Sequence, residues 1–517
     1  MRVLVGLRTP HGKQYVPLRR YATASVPRVF NAPRFVPSAD AQPYLRKVPP
    51  TTVSSLPNGF RVACESIPDS QVATVGVWID AGSRYETLAN NGTAHFLEHM
   101  NFKGTHTMTK NTLERKFEEI GGHLNAYTAR DRTSYYVKVF KRYVPEAIAI
   151  LADILRNSKI PERDIKRERS TILEEMKEVE LLVDEVVMDH LHIASYQTSS
   201  LGLTILGPEK NISSVIDREM IVNFVKQHYT GPRMVLVGAG AVEHTQLEGL
   251  AKKYFGDLPS NVDKGENAPA VYTGGQYTMW SKDLPAVHLA AAFPTCGIGN
   301  DDVYTLQVIQ HLVGSYTKNN RELLSKQRFR AAKCIGLSVA DTAGKLIGTE
   351  PDPRVEVLNP FYTPYVDTGL MGVYLVAYPG DGNIQHHLNR IVSLFGELSS
   401  TLLEENDMQL AKSNLKAALV LNVDGTTNVA EDIGRQLLHN GKRIPLTDYF
   451  TAIDAVTPED VRRVMGTYFQ PNGISLSTVG PVRNTDIALG KSLENVKVDR
   501  HLSEISPVPS LEQIRYF

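Results

Sequence analysis

His95, Glu98 and His99 fall within one helical turn, in the run His95-Phe96-Leu97-Glu98-His99. At about 100° per residue, positions i, i+3 and i+4 share one face of a helix. Two imidazoles one turn apart can then grip a single metal ion, with a carboxylate between them placed to reach water beside it. Zinc hydrolases need this set: neutral nitrogen ligands, one open coordination position and a general base. The order is the inverse of His-Glu-x-x-His and has the form of an inverted zinc-peptidase motif. The competing reading is two surface histidines and a solvated glutamate on an amphipathic helix, in a chain with 15 His.

Catalytic zinc keeps three protein ligands, so a third is expected, and a carboxylate is a usual choice. Pro161 to Glu180 has the pattern of a helix, with Pro at its first turn and acids beside it. Its apolar stripe runs Ile165, Ile172, Met176, Val179. Glu168 and Glu175 flank that stripe two turns apart, whereas Glu174 projects to the opposite side and belongs in water. Helical geometry leaves Glu168 and Glu175 both open as ligands, and it also allows one solvated acidic face. On the next segment Glu185 and Asp189 are i, i+4, so their carboxylates project together and could clasp a guanidinium.

Elements must hold these residues. Thr133 to Phe140 reads as a strand, as do Met234 to Gly238 and Val287 to Phe293. The polar stretch from Ser260 to Gly275 reads as a linker. Beyond it the first half recurs in faded form. Sliding His95 onto Gln307 places Glu98 on Gln310 and His99 on His311. A helix from Glu405 matches the one from Glu162 at an offset of 243, which puts Glu168 on Ala411 and Glu175 on Ala418. The expected fold class is therefore α+β, with two homologous αβ sandwich domains, mixed or antiparallel sheets covered by helices, facing each other across a cavity. Only the first keeps its ligands. The expected divisions are 1–45 as leader and extension, 46–262, a linker at 263–282, and 283–517. An insert from Gly344 to Pro360 carries Pro351, Pro353 and Pro360 and reads as a loop.

Composition is that of ordinary globular material, 42% apolar and 22% charged. At 517 residues the chain exceeds what one core organises. Lys plus Arg and Asp plus Glu both number 56, so no nucleic-acid partner is expected. No apolar run approaches the roughly 20 residues of a membrane helix. Cys64, Cys296 and Cys334 are scattered and read as reduced. The N-terminus differs: Arg2, Arg8, Lys13, Arg19, Arg20, Arg28 and Arg34 precede the first acid, Asp40. That is a transit-peptide composition, and Arg19-Arg20-Tyr21-Ala22 resembles a mitochondrial presequence cleavage site, which implies a cut after Tyr21.

Four blocks carry a family resemblance. They are His95 through Thr105 (HFLEHMNFKGT), Gly121 through Thr128 (GGHLNAYT), Glu168 through Met176 (ERSTILEEM), and Asp189-His190-Leu191-His192. Their order and content resemble the pitrilysin/insulinase-type metallopeptidases from about residue 50 onward, and within them the metal-bearing β chains of mitochondrial processing peptidases. That resemblance implies Zn2+ held by His95, His99 and Glu175, Glu98 as the catalytic base, and Glu168 as a carboxylate steadying the site. It implies a strand at Asn125, Ala126 and Tyr127 that pairs with an extended presequence peptide. It also implies Glu185 and Asp189 as receivers of an arginine two residues before the cut, and Phe102 packing against the residue after it. No long Gly-rich run of the α-chain kind is present, so an α-type partner subunit is expected. Core subunits of respiratory complex III share the fold, so partnership with complex III subunits, in a structural or dual role, is the alternative. The expected location is the mitochondrial matrix, either free or peripheral to the inner membrane. A general peptide-degrading role is a third reading, distinguished by indifference to that arginine.

Overall fold

The computed structural model describes residues 48–261, 269–318, 336–340, 346–378, 383–400, 403–470 and 473–483. The expected leader with its cut after Tyr21, and Cys334, lie outside the described residues.

Strands rich in β-branched and aromatic residues build the first sheet. They are β1 (Thr52–Ser55), β2 (Arg61–Ser66), β3 (Val72–Ile79), β4 (His123–Thr128), β5 (Thr133–Phe140) and β6 (Met234–Gly240), in the spatial order β1-β2-β6-β3-β5-β4. Helices α1 (Thr93–Asn101), α2 (Lys110–Glu119), α3 (Val144–Arg156), α4 (Glu162–Glu180), α5 (Val183–Ser195), α6 (Arg218–His228) and α7 (His244–Phe255) complete this half. Ala73, Val75, Val77 and Ile79 of β3 enter one core with Phe96, Leu97 and Met100 of α1 and Ile148 and Leu151 of α3.

The second sheet comprises β7 (Gly275–Trp280), β8 (Val287–Cys296), β9 (Tyr316–Thr317), β12 (Val355–Pro364), β13 (Thr368–Ala377) and β14 (Ser475–Gly480), ordered β7-β14-β8-β13-β12-β9. A separate hairpin pairs β10 (Gly336–Ala340) with β11 (Leu346–Pro351). Its helices are α8 (Asp302–Val313), α9 (Asn383–Ser400), α10 (Glu405–Leu421), α11 (Thr426–Asn440), α12 (Leu446–Ala455) and α13 (Pro458–Tyr468).

The two halves repeat one topology. Leaving out the outermost β1 and β9, each half lays its strands, counted along the chain, in the order first, fifth, second, fourth, third. The first pairs parallel with the fifth, and the other neighbours are antiparallel. Helix α8 stands where α1 does, and α10 where α4 does. The repeat expected from the 243-residue offset is thus present in the architecture.

Each half also covers the other's sheet. Val429, Ala430, Ile433 and Leu437 of α11 pack against Ala63, Trp78, Val235 and Val237 of the first sheet. Val187 and Leu191 of α5 pack against Ala290, Ala292, Leu370 and Val479 of the second. This accounts for the unbroken burial of β6, since a sheet covered on both faces has no solvent side. Each buried Val, Ile or Leu contributes roughly 1.5–3 kcal/mol. The exchange is reinforced by a buried ion pair of Arg84 with Asp367 and by Glu65 with Arg443.

Two expectations are corrected here. The stretch 263–282 is not linker throughout: β7 occupies Gly275–Trp280 and pairs parallel with β14. Its polar and Gly-bearing flanks conceal a strand whose Tyr277 is buried. The insert from Gly344 to Pro360 is likewise not a loop, for β11 and most of β12 lie in it. Its prolines fall at a strand end, in the connection, and on β12 beyond the short pairing with β9, where a missing N–H costs no ladder bond.

Candidate metal centre

Helix α1 has no solvent face; all nine of its residues are buried. It starts at Gly92, whose φ of 101° is left-handed, and an added Cβ would meet the Leu206 carbonyl oxygen at 2.8 Å. The free N–H groups of its first turn are taken by a distant carboxylate. Gly92 N donates to Glu86 Oε2 at 2.9 Å, and Ala94 N to Oε1 at 2.6 Å. A buried anion at a helix N-terminus satisfies orphan donors and the positive end of the helix dipole. Burial nevertheless pushes the Glu86 carboxyl up to about 7, against the pull of the hydrogen bonds from Ala94, Asn91 and Gly92. Glu86 escaped the sequence reading because no residue pattern links it to the motif.

His95 and His99 project from α1 with ring centroids 4.7 Å apart. Glu175 comes from α4, its Oε2 lying 3.1 Å from His99 Nε2 and 3.7 Å from His95 Nε2. Ligand atoms of these three residues lie within 4.8 Å of one another, the one such group of acids, histidines or cysteines among the described residues. Glu168, one of the two candidates left open by helical spacing, points elsewhere: its Oε1 is 2.9 Å from His99 Nδ1 and its Oε2 is 2.5 Å from Lys103 Nζ. Glu174 is exposed and pairs with Lys177, as its place on the helix requires.

Whether these residues suit a metal can be asked of their hydrogen bonds. His99 Nε2 and Glu175 Oε2 are both buried and both lack a hydrogen-bond partner. Such atoms are costly to bury without one. They converge, and with Glu168 accepting from Nδ1–H it is Nε2 that faces Glu175 and carries the lone pair once the ring is neutral. This donor set fits a divalent cation. Burial works to lower the His99 pKa, but Glu168 and Glu175 outweigh it and raise it to about 9; the same histidines hold the Glu175 carboxyl well below its usual range.

Glu98 lies on the same buried turn, and Thr128 Oγ1 of β4 donates to its Oε2 at 2.5 Å. Thr128 belongs to a block already noted in the sequence, yet nothing there links it to Glu98. Strand β4 is the edge of the first sheet, so Asn125, Ala126 and Tyr127 stand on an edge. Asn125 Nδ2 reaches Tyr136 Oη at 2.9 Å, and its Oδ1 accepts from Ala126 N at 2.9 Å. The Tyr127 hydroxyl is committed to Glu431 at 2.5 Å. Phe102 closes α1, half-buried beside Tyr135. Glu185 is exposed on α5, while Asp189 already carries a guanidinium of this chain, Arg130 NH2 at 2.6 Å. Arg130 itself is buried.

In the second half the same positions are spent. Gln307 and Ala411 are buried, Gln310 Nε2 donates to the Pro360 carbonyl, and burial lowers the His311 pKa to about 4.

The family model described as insulinase, peptidase family M16, matches residues 61–209, and the M16 inactive domain matches 216–415. A mouse mitochondrial-processing peptidase subunit beta is 40% identical over 472 residues, covering 90% of this chain and 91% of that one. The chain belongs to peptidase family M16. Its M16 relatives include a probable processing-peptidase β subunit of Arabidopsis thaliana, 43% identical across 87% of this chain and 83% of the relative. A ubiquinol-cytochrome-c reductase core protein I of Euglena gracilis is 46% identical, across 81% and 85%. Among solved structures, a chain of complex III from Candida albicans superposes with a TM-score of 0.68 at 19% identity, covering 85% of this chain and 98% of that one, a likeness of fold alone. Among the described residues no helix is long and apolar enough to cross a membrane.

Proposed function

We propose that this M16 chain is a zinc metalloendopeptidase of the processing-peptidase β kind, removing N-terminal presequences from proteins imported into mitochondria. One observation carries the reading: buried, unpartnered atoms of His99 and Glu175 converge beside His95, on the turn that also bears Glu98. A scaffold gains nothing from a complete and otherwise unsatisfied donor set.

When bound by His95, His99 and Glu175, Zn2+ supplies Lewis-acid polarisation and acidifies water. Glu98 takes the proton of the attacking water and returns it to the leaving amine. Thr128 orients the Glu98 carboxylate, and Glu168 with Lys103 holds the His99 ring. The β4 edge receives the peptide main chain, a mode tolerant of sequence. Glu185 and Asp189 receive the arginine ahead of the cut, Asp189 sharing its charge with Arg130, and Phe102 packs against the residue that follows. An α-type subunit completes the enzyme in the matrix. Residues 1–45 serve as leader and extension.

The names of the relatives favour a second reading, a core subunit of respiratory complex III, in a structural or dual role. Both are tested on the native assembly by resolving it on a native gel and assaying presequence cleavage in each band. Cleavage in the cytochrome-containing band means the dual role, and cleavage only in a smaller band a free peptidase. Absence of cleavage in both leaves the scaffold. In an active band, Glu98→Gln should retain metal yet lower kcat by about 10²–10⁴; near-normal turnover would refute the assignment of the base.

A further inference from the structure

Three donors converge on the carboxylate of Glu431, on α11 of the second half. Its Oε1 accepts from Tyr127 Oη at 2.5 Å and Arg132 NH2 at 3.2 Å, and its Oε2 from Trp78 Nε1 at 2.7 Å. Arg132 Nε also donates to Tyr127 Oη at 2.8 Å. Close by, His439 of the same helix lies 3.1 Å from Asp131, which in turn pairs with Arg132. Trp78, Asp131 and Arg132 are buried, as is the side chain of His439. The second half thus grips both Tyr127 and the turn between β4 and β5.

Tyr127 and Thr128 are consecutive on β4, so their side chains leave opposite faces of the sheet. Tyr127 points to the face covered by α11, and Thr128 to the face covered by α1, where it donates to Glu98 at 2.5 Å. Among the described residues, β4 is an edge strand with one neighbour, β5, along its length. Edge strands pair on one side only and open more readily than central ones. A side-chain tie at its end therefore decides how firmly Thr128 is held.

We propose that Glu431 is a positioning residue for the first half's base: by anchoring Tyr127 it fixes the end of β4 from which Thr128 orients Glu98. This rests on the peptidase reading, and it makes the ligand-free half a contributor to the active site.

The test uses the full chain in its native complex, with Glu431→Gln, Glu431→Ala, Thr128→Val and Thr128→Ser. Zinc content, kcat and KM on a presequence peptide, and amide hydrogen exchange over residues 123–128 are measured. Glu431→Ala should lower kcat about 10–100-fold and Glu431→Gln less, with KM and zinc content within about twofold. Exchange at 123–128 should quicken while other strands of the first sheet are unchanged. Thr128→Val should lose kcat over the same range and Thr128→Ser regain it. The double variant Glu431→Ala with Thr128→Val should be no worse than the poorer single, because both act on one element. Unchanged exchange at 123–128, or additive losses of kcat, overturns the proposal. If the wild type itself does not cleave, the peptidase reading fails on its own, while the exchange still reports whether Glu431 holds β4.

Discussion

The chemistry of His99 is set by what its two ring nitrogens face. Glu168 takes one side and Glu175 the other, so without metal the ring holds a proton to about pH 9. Metal binding must expel that proton, and its apparent affinity should fall about tenfold per pH unit as pH drops below that value. Chelator competition at pH 6, 7 and 8 would show this. The metal-free protein behaves oppositely. Its raised histidine contributes stability that is complete below the unfolded value of 6.5 and is lost as pH climbs through about 9. Glu168→Gln, which leaves His99 and Lys103 without their anion, should cost about 10–100-fold in metal affinity by the same competition assay. At this scale the sequence was highly legible, because a helix converts spacing into direction. Spacing did not choose between Glu168 and Glu175, since both lie on one flank of α4; the family resemblance did, and the approach of α1 sets them apart in the fold.

Among the elements, α1 and α11 are held by close approaches that no local pattern announces. Glu86 caps α1 from outside the helix. On α11, Gly434 lies against the Trp78 ring, where an added Cβ would come within 2.4 Å of Cδ2. Gly434→Ala should cost about 1–3 kcal/mol by overpacking, read as a lower thermal midpoint with zinc content preserved. Edges differ between the halves as well. In the first sheet β4 is left open, whereas in the second its counterpart β12 is partly closed by the chain's own β9, through Tyr316 and Thr317. Among the described residues, β4 is unpaired along its whole outer side, whereas β12 is covered at Val357 and Leu358. The strands hidden in the supposed linker and insert were missed because polar flanks and prolines read as loop until a neighbouring strand supplies the pairing.

On the scale of the whole molecule, the exchanged helices make the halves interdependent. Cutting the chain once, at a protease site engineered into residues 262–268, should leave both pieces together on gel filtration, separating only in denaturant. Independent domains would part at once, exposing Val235 and Val237 on one side and Ala290 and Ala292 on the other.

By itself the sequence named the candidate set His95, Glu98 and His99 and the doubled plan, because spacing on one helical turn and the recurrence of similar segments in the same order are facts of the chain alone. Between Glu168 and Glu175 the resemblance chose where helical spacing could not, and tertiary structure shows Glu175 facing both imidazoles; tertiary structure alone decided that Thr128 touches Glu98 and that Glu431 reaches the first half from about 300 residues away. Those depend on which surfaces two sheets bury against exchanged helices, a matter of packing between distant segments that no spacing along the chain encodes.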